Sequence, residues 1–494
     1  MHTLPNLFYK PEGAWVGDLI PFYKDGTFRL FYLHDWRENK NIHGEGTSWF
    51  ELRTSDFVHY EEKGEMLKHG SVSEQDLNCY TGSIIEAEGE FHLFYTGLNP
   101  YPDFVEDGEP LQCVMHAVST DMESWRKIPE DTFYSDGIQY ERHDWRDPFV
   151  FWNEEAGEYW MLLAARNKEG PSRRRGCIGL CASKDLRKWE IRKPFWDPKM
   201  YVTHECPDLF RIGEWWYLVY STFSDRFVTH YRMSKSLSGP WTAPRNDAFD
   251  ARAFYAAKTW SDGNKRYAFG WDPSKEKEDD YGDWQWAGNL VVHEVVQEPD
   301  GTLTVRIPET VSNHFANKQA AEWSSRIGNW KEAEGRITTA ADETFSCISA
   351  GSMPETCKIS ARLSFSEGTR SCGIMLRASE DLDEAYYIRL EPMHNRLVFD
   401  MWPRRVKGEA QWHIDGDRPH AVELEVPIEL QADRVYDIRI VVENSVCVVY
   451  LADRVAMTTR LYNLKTGSWG CFVQEGRAQF EQAALSVPSE QEVK

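Results

Sequence analysis

The sequence predicts an all-β protein, a five-bladed β-propeller followed by a C-terminal β-sandwich. Strand-like segments occur in pairs with turn residues between them, and the pairs recur every roughly 50–65 residues, a spacing typical of propeller blades. Later segments alternate apolar and polar residues with the period of a β-strand. Helical periodicity is nearly absent from the 494 residues. Together these three observations favour two successive β domains.

A short polar element marks the repeats of the N-terminal part. Its copies, the last of them degenerate, begin at Thr54, Ser119, Ser183 and Ser234. A pair of strand-like segments precedes each copy, and a fifth unit without the element begins near Ala256. Turn pairs such as Asp25-Gly26 lie where hairpins need them. Residues 1–310 are therefore predicted to form the five blades.

The remainder of the chain is predicted to form a separate domain. Residues 311–325 read as a polar linker, and residues 326–494 hold eight or more short strand-like segments, which fits a two-sheet sandwich. No comparable grouping of acids occurs in this part, so we expect a supporting or carbohydrate-contacting role. Sandwich edges can also mediate a homodimer. The acidic run 275–283 is expected to be a solvated loop of the fifth blade, with the rim of a pocket as the alternative.

The composition excludes several classes of partner. The formal net charge of −23 opposes contact with nucleic acids and anionic membranes. No apolar run approaches the ~18 residues of a membrane helix. The ten cysteines lack zinc or CxxC spacing, so we expect reduced thiols, no metal and no cofactor. The first residues show no secretory-signal pattern, from which a cytoplasmic location is expected.

Three acidic residues stand at the beginnings of strand-like segments in three different repeats. Asp18, Asp147 and Glu205 each occur where a buried chain would normally place an aliphatic residue. The first strand of each blade lines the central channel, so we expect the three carboxylates, which stand at equivalent places in their repeats, to converge at one mouth of that channel. Each has a structural alternative: a turn residue, a partner of Arg146, and a loop cap, respectively. Three unpaired buried carboxylates would be costly in a purely structural role.

Such carboxylates are the groups that cleave glycosidic bonds. Retention requires an ionised nucleophile and a protonated acid about 5–5.5 Å apart. A third acid, kept ionised by Arg146, could hold ring hydroxyls. Cys206, next to Glu205, is expected to desolvate that acid and raise its pKa.

Several motifs in order along the chain resemble those of one known family. The sequences RDP at 146–148, ECP at 205–207, FYAAKT at 254–259 and WAG at 286–288 resemble glycoside hydrolase family 32, the invertase and fructosidase family. The resemblance covers roughly residues 10–310. It implies a propeller with a following sandwich, and hydrolysis with retention.

The resemblance also implies roles for individual residues. It would make Asp18 the nucleophile, Glu205 the acid/base and Asp147 the stabiliser of the transition state. The candidate substrate-binding residues, from the motifs and the strand ends, are Trp15, His34, Asp35, Trp49, Tyr80, Thr81, Ser83, Arg146, Tyr255 and Trp271. Trp49 is expected to stack on a sugar ring.

Two departures from the family pattern fall in the sugar pocket. The first motif of the family usually reads WMNDPNG, but its asparagine is replaced here by Gly17. A glutamine that typically follows the FHLFY strand is replaced by Leu33. His34, Asp35 and Trp36 are candidates to replace these contacts, with a simple strand-end turn as the alternative. A pocket that loses two hydroxyl partners should change what it accepts.

The function predicted is retaining hydrolysis of a small β-fructofuranoside, such as sucrose or a short fructo-oligosaccharide. The alternatives are an inverting family 43 type of hydrolase on arabinofuranosides or xylosides, a fructosyltransferase, and a sugar-binding protein that has lost catalysis. The intact acids argue against the last of these.

Overall fold

The computed structural model describes residues 6–37, 46–402 and 423–489. The chain divides into two compact units. The first comprises Met1–Ala248, Phe254–Pro273 and Trp286–Leu303, and the second comprises Phe249–Ala253, Ser274–Gln285 and Thr304–Lys494. Among the described residues, no helix combines the length and apolar character that crossing a membrane requires.

The first unit contains five antiparallel blades within its described residues. Blade one has β1 (Trp15–Lys24), β2 (Thr27–Asp35), β3 (Trp49–Thr54) and β4 (Glu61–Leu67). Blade two has β5 (Asn78–Ala87), β6 (Glu90–Leu98), β9 (Gln112–Ser119) and β10 (Arg126–Lys127), with the small hairpin β7 (Val105–Glu106) and β8 (Glu109–Pro110). Blade three has β11 (Tyr140–Asn153), β12 (Glu158–Asn167), β13 (Gly176–Ser183) and β14 (Glu190–Trp196).

Blades four and five complete the ring. Blade four has β15 (Glu205–Ile212), β16 (Trp215–Thr222) and β17 (Val228–Ser234), and blade five has β18 (Tyr255–Ser261), β19 (Arg266–Lys275), β20 (Trp284–Gln297) and β21 (Leu303–Arg306). The first strands of successive blades pack against each other in turn, from β1 through β5, β11 and β15 to β18, which packs against β1 again. These strands therefore surround the centre of the propeller, as predicted.

The recurring polar element is the turn between the third and fourth strands of a blade. In blade one, Thr54 Oγ1 accepts the N–H groups of Asp56 and Phe57. Asp56 Oδ1 accepts the N–H groups of Val58 and His59. The copies at Ser119 and Ser183 make the same kind of bonds. Hydroxyl and carboxylate side chains that satisfy nearby N–H groups stabilise such turns, so the repeat seen in the sequence has a structural cause.

The second unit is a β-sandwich around one apolar core. It contains α1 (Glu309–His314), β22 (Asn317–Lys318), β23 (Ser324–Ile327), β24 (Trp330–Ala333), β25 (Arg336–Ser352), β26 (Thr356–Phe365), β27 (Ser371–Ala378), β28 (Ala385–Glu391), β29 (Arg396–Trp402), β30 (Leu424–Pro427), β31 (Tyr436–Glu443), β32 (Val446–Leu451), β33 (Val455–Arg460) and β34 (Ser468–Val487). Strand β34 pairs with β27 along its first half and with β26 along its second half, which joins the two layers. The predicted fold class is confirmed.

The acidic run 275–283 is only in part the solvated loop that the sequence suggested, since residues 276–278 are exposed but Asp280 is not. Asp280 is 4% exposed and accepts the N–H groups of Tyr462 and Asn463, at 2.8 and 3.1 Å, and the hydroxyl of Tyr386. A carboxylate with three donors can be buried without a net penalty. This stretch is therefore an integral part of the second unit.

Candidate active site

The innermost strand of every blade carries a β-bulge near its first residues. In each, the register with the neighbouring strand shifts, between the residue pairs Val16/Leu19, Tyr80/Gly82, Arg146/Phe149, Glu205/Asp208 and Tyr255/Lys258. A bulge places one extra residue on one strand and re-aims the side chains beside it. Three of the bulged residues, Asp147, Cys206 and Ala256, have φ of 57°, 50° and 52°, in the left-handed region that non-glycine residues rarely adopt. Such strain is commonly found at functional sites.

The three acids meet at these bulges but at different positions within them. Glu205 is the last paired residue before its bulge, Asp147 is the first bulged residue, and Asp18 is the second. The sequence predicted that the three acids occupy equivalent positions in their strands. All three do lie at the bulge, but each is offset by one residue from the next. Because consecutive residues of a strand point to opposite faces, only the bulges allow three such offsets to meet in one cavity.

Asp18 receives three side-chain donors. Its Oδ2 accepts the hydroxyl of Thr81 and lies 3.6 Å from Cys206 Sγ, and its Oδ1 accepts Trp271 Nε1 at 3.0 Å. Burial raises the pKa of Asp18, and the charge of Asp147 raises it further, whereas the three donors lower it. The pKa of Asp18 is raised overall, because burial outweighs the three donors.

Asp147 is held by the backbone of the neighbouring blade. It is 4% exposed, and its Oδ2 accepts the N–H of Cys206 at 2.9 Å. Its own N–H donates to Thr96 Oγ1 at 2.8 Å. The Nε atom of Arg146 lies 3.9 Å from this carboxylate. These contacts fix the carboxylate of Asp147 in one orientation.

Glu205 lies between a guanidinium and a phenol. Arg146 Nη2 donates to its Oε1 at 2.9 Å, and the Tyr255 hydroxyl donates to its Oε2. Burial raises the pKa of Glu205, Arg146 lowers it, and the charge of Asp147 raises it again. The pKa of Glu205 is raised, as the sequence predicted, but the Cys206 thiol is not the cause. The thiol of Cys206 contacts the other two carboxylates, at 3.6 and 3.7 Å.

Arg146 connects the acids to a chain of ion pairs. Besides Glu205, it donates to Asp144, which also lies 3.6 Å from Arg166. Burial disfavours the charge of Arg146, but Asp144, Glu205 and Asp147 raise its pKa well above the ordinary value. Burial raises the pKa of Asp144, but Arg146 and Arg166 outweigh it, so the pKa of this carboxyl is lowered overall. Arg146 is therefore a permanently charged and rigidly placed neighbour of the acids.

A cavity of about 540 Å³ opens over these groups. Eight of the residues predicted from the sequence line it: Asp18, Asp35, Tyr80, Thr81, Arg146, Asp147, Glu205 and Tyr255. Eight further lining residues were not among the predicted site residues: Leu33, Thr47, Gln112, Asp144, Cys206, Phe223, Phe227 and Trp286. Asp144 could have been found, since it precedes Arg146 by two residues and a strand places such residues on one face. No sequence signal distinguishes the two phenylalanines from core residues.

Five predicted binding residues do not line the cavity. Trp49 is fully buried and donates its Nε1 to the carbonyl of Tyr80 at 3.2 Å, so it offers no face to a sugar. The Ser83 hydroxyl accepts the N–H of Val150 at 3.0 Å. Trp271 is buried, and it supports the site through its bond to Asp18 and its ring contacts with Tyr255 and Trp286.

The other two, His34 and Trp15, also make contacts of a structural kind. The His34 ring packs at a tilt against Phe50, with ring centroids 4.0 Å apart, and against Trp36 at 4.2 Å. The Trp15 ring lies under Lys10 Nζ at 3.8 Å and under the Arg37 guanidinium at 4.5 Å. His34 points away from the cavity because side chains alternate along a strand, and its neighbours Leu33 and Asp35 line the cavity.

A ring of blade-start bulges that brings a carboxylate triad into one cavity defines a propeller glycosidase. The sequence model for the glycosyl hydrolases family 32 N-terminal domain matches residues 9–304, and that for the GH32, BT1760-like, C-terminal domain matches residues 301–481. The chain belongs to glycosyl hydrolase family 32, and it is a glycoside hydrolase.

Curated relatives are identical to the chain at about a quarter of the aligned positions. It is 24% identical over 368 residues to sucrose-6-phosphate hydrolase of Escherichia coli, covering 64% of this chain and 71% of that protein. It is 25% identical over 416 residues to levanbiose-producing levanase of Bacillus subtilis (strain 168), covering 76% and 70%.

Solved structures show the same fold. Sucrose-6-phosphate hydrolase from Lactobacillus gasseri aligns with a TM-score of 0.72 at 18% identity, covering 99% of this chain and 93% of that one. Exo-inulinase from Aspergillus awamori aligns with a TM-score of 0.71 at 17% identity, covering 98% and 97%.

Proposed function

We propose that the protein hydrolyses short, uncharged β-fructofuranosides with retention of configuration. The observation that carries the proposal is the convergence of Asp18, Asp147 and Glu205 on one cavity. Asp18 is surrounded by three side-chain donors that favour its ionised form. Burial and the charge of Asp147 raise the pKa of Glu205 and that of Asp18 alike, which favours one protonated carboxyl beside an ionised one. Such a pair supplies a nucleophile and a general acid in one cavity.

In the first step, the Asp18 carboxylate attacks the anomeric carbon of the fructosyl unit. Glu205 transfers its proton to the glycosidic oxygen as the bond from that oxygen to the anomeric carbon breaks, and the alcohol leaves. In the second step, Glu205 takes a proton from water, the water oxygen attacks the anomeric carbon, and the ester to Asp18 breaks. Two inversions at one carbon give net retention.

Asp147 has the role of a fixed acceptor for the ring hydroxyls. Its Oδ2 is bound to the N–H of Cys206 at 2.9 Å, so its other oxygen can accept from the sugar without reorientation. Preorganised groups of this kind stabilise charge that develops in the transition state. Arg146 bonds to Glu205 directly and favours its ionised form in the second step.

The charge of the cavity supports an uncharged substrate. Five of the lining side chains are Asp or Glu: Asp18, Asp35, Asp144, Asp147 and Glu205. Among the described lining residues, Arg146 is the only lysine or arginine, and it already bonds to Asp144 and Glu205. A sugar phosphate would therefore add negative charge to an acidic cavity. We therefore propose that the substrate carries no phosphate, unlike the substrate named for the sucrose-6-phosphate hydrolases.

The proposal is tested by proton NMR of a glycoside panel. The panel contains sucrose, sucrose 6-phosphate, kestose, inulin and levan oligomers, and arabino- and xylo-oligosaccharides. We expect cleavage of a neutral fructoside, first-formed product of retained configuration, and a kcat/KM on sucrose 6-phosphate at least tenfold lower than on sucrose. Cleavage of a pentoside alone with inversion would establish the family 43 type of reaction. Longer products would establish fructosyl transfer.

Variants of the two principal acids test the assigned roles. Asp18→Asn and Glu205→Gln should each lower kcat by about 10³-fold or more, since each removes an atom that reacts. Glu154→Gln is the matched control, because Glu154 is exposed in the turn between β11 and β12. Full activity of Asp18→Asn would refute the nucleophile assignment. The cytoplasmic location and the homodimer stay predictions, to be checked by cell fractionation and light scattering.

A further inference from the structure

The two departures from the family motif lie together beneath one indole ring. A Cβ atom built on Gly17 would lie 2.5 Å from Cη2 of Trp286 and 3.0 Å from both Cβ and the carbonyl oxygen of Leu33. Both Leu33 and Trp286 line the cavity. The two positions that lack their expected polar groups are thus one continuous apolar surface, covered by a tryptophan from blade five.

We infer that Trp286 is a specificity-determining residue, an aromatic platform on which a neutral sugar ring stacks beside the nucleophile. This inference rests on the proposed function and names a further contact of the same site. It changes the way in which the pocket recognises the sugar. The hydrogen bonds that an amide could make to hydroxyls are replaced by contact of an indole with the C–H face of a sugar ring.

The exposure and anchoring of Trp286 fit a platform. It is 42% exposed, whereas Trp49 and Trp271 of the same unit are 0% exposed. Its ring packs edge-on against Trp271 at 6.0 Å, and Trp271 in turn donates to Asp18. Its carbonyl oxygen accepts Arg37 Nη2 at 2.8 Å. Trp271 therefore lies between the Trp286 ring and Asp18, and contacts with Trp271 and Arg37 hold Trp286 in place.

Space, rather than backbone conformation, keeps position 17 a glycine. Its φ lies outside the left-handed region, so any L-residue could adopt the backbone there. A side chain there would collide with the indole of Trp286, since real Cβ atoms essentially never come closer than 3.0 Å to another atom, and it would be tight against Leu33. An asparagine at position 17 and the present position of the indole therefore exclude each other.

The first experiment measures the kinetics of Trp286→Ala and Trp286→Phe on the fructoside that the wild type cleaves best. A platform that binds ground state and transition state alike affects KM rather than kcat. We expect Trp286→Ala to raise KM about 10–100-fold with kcat within about threefold, and Trp286→Phe to restore most of the loss. Trp152→Ala is the control, because Trp152 is 45% exposed and packs on Tyr159 outside the cavity. An unchanged KM in Trp286→Ala would overturn the inference.

The second experiment is a double-mutant cycle with Gly17→Asn. In the wild type, the new side chain should displace the indole and raise KM about tenfold or more. In the Trp286→Ala background, the same change should raise KM less than threefold, because the ring that it displaces is already absent. Equal effects in both backgrounds would overturn the coupling. Thermal melting of each variant excludes a loss of folding as the cause.

The outcome for Trp286 can be separated from the outcome for the proposed function. If the wild type cleaves no fructoside, titration calorimetry with fructose and kestose still measures binding. Weaker binding by Trp286→Ala than by Trp152→Ala would then support the platform in a protein whose reaction is different. Cleavage by a Trp286→Ala variant with unchanged KM would refute the platform and leave the proposed function intact.

Discussion

The protonation of Glu205 depends on the balance between burial and two donors. Burial raises its pKa, whereas Arg146 and the Tyr255 hydroxyl lower it. Tyr255→Phe removes one donor and retains the ring that stacks on Phe227 at 4.0 Å, so we expect the pKa of Glu205 to rise. The general acid would then stay protonated to higher pH. The alkaline limb of kcat/KM should shift upward, with the maximum about tenfold lower because the acid is less well oriented.

This prediction is checked by pH–rate profiles of kcat/KM, which report on groups of the free enzyme. Tyr159→Phe is a suitable control, since Tyr159 lies on β12 and packs on Trp152 instead of the cavity. If Tyr255→Phe leaves the alkaline limb in place, the limb belongs to a group other than Glu205.

At the scale of residues, the sequence identified the acids better than the aromatic contacts. Asp18, Asp147 and Glu205 could be predicted because an acid in an apolar strand start violates the usual pattern of burial. Trp49 and Trp286 both lie in strands that favour aromatic residues, and nothing in their local sequence shows which is fully buried and which is 42% exposed. The present position of the Trp286 ring requires the missing side chain at Gly17, which is distant in sequence.

At the scale of elements, the bulge of β15 decides where two acids point. Cys206 occupies φ of 50°, and its N–H holds Asp147. A β-branched residue is strained at positive φ, so Cys206→Val should shift the bulge and release this N–H. We expect kcat to fall about 100-fold in Cys206→Val and no more than about tenfold in Cys206→Ala, which keeps the backbone and loses only the thiol.

The two variants are compared by kcat and by far-ultraviolet circular dichroism, which confirms that both fold. Equal losses in Cys206→Ala and Cys206→Val would assign the effect to the thiol and contradict the role of the bulge. Bulges of this kind could not be predicted from the strand pattern. Hairpin turns and alternation identify the blades, but an extra residue at the start of a strand leaves no periodic signal.

At the scale of the whole molecule, the second unit is assembled from three parts of the chain. The segments Phe249–Ala253 and Ser274–Gln285 belong to it together with Thr304–Lys494. Asp250 accepts the N–H and hydroxyl of Thr458, at 2.7 and 2.5 Å, and Ala251 is part of the sandwich core. The sequence predicted one boundary near residue 310, because it showed where strand patterns change and not which loops are buried with a later domain.

A fragment of residues 1–303 should therefore fold poorly, although it includes all the acids of the cavity. In it, Asp250 and Asp280 lose the donors that offset their burial, and Tyr281 and Trp284 lose the core that they pack against. Apolar surface exposed in this way favours aggregation. We expect most of the fragment to be insoluble on expression, and the fragment with Tyr281→Gln and Trp284→Gln to be more soluble. A soluble and fully active 1–303 fragment, with the melting temperature of the whole chain, would show that these segments fold without the sandwich.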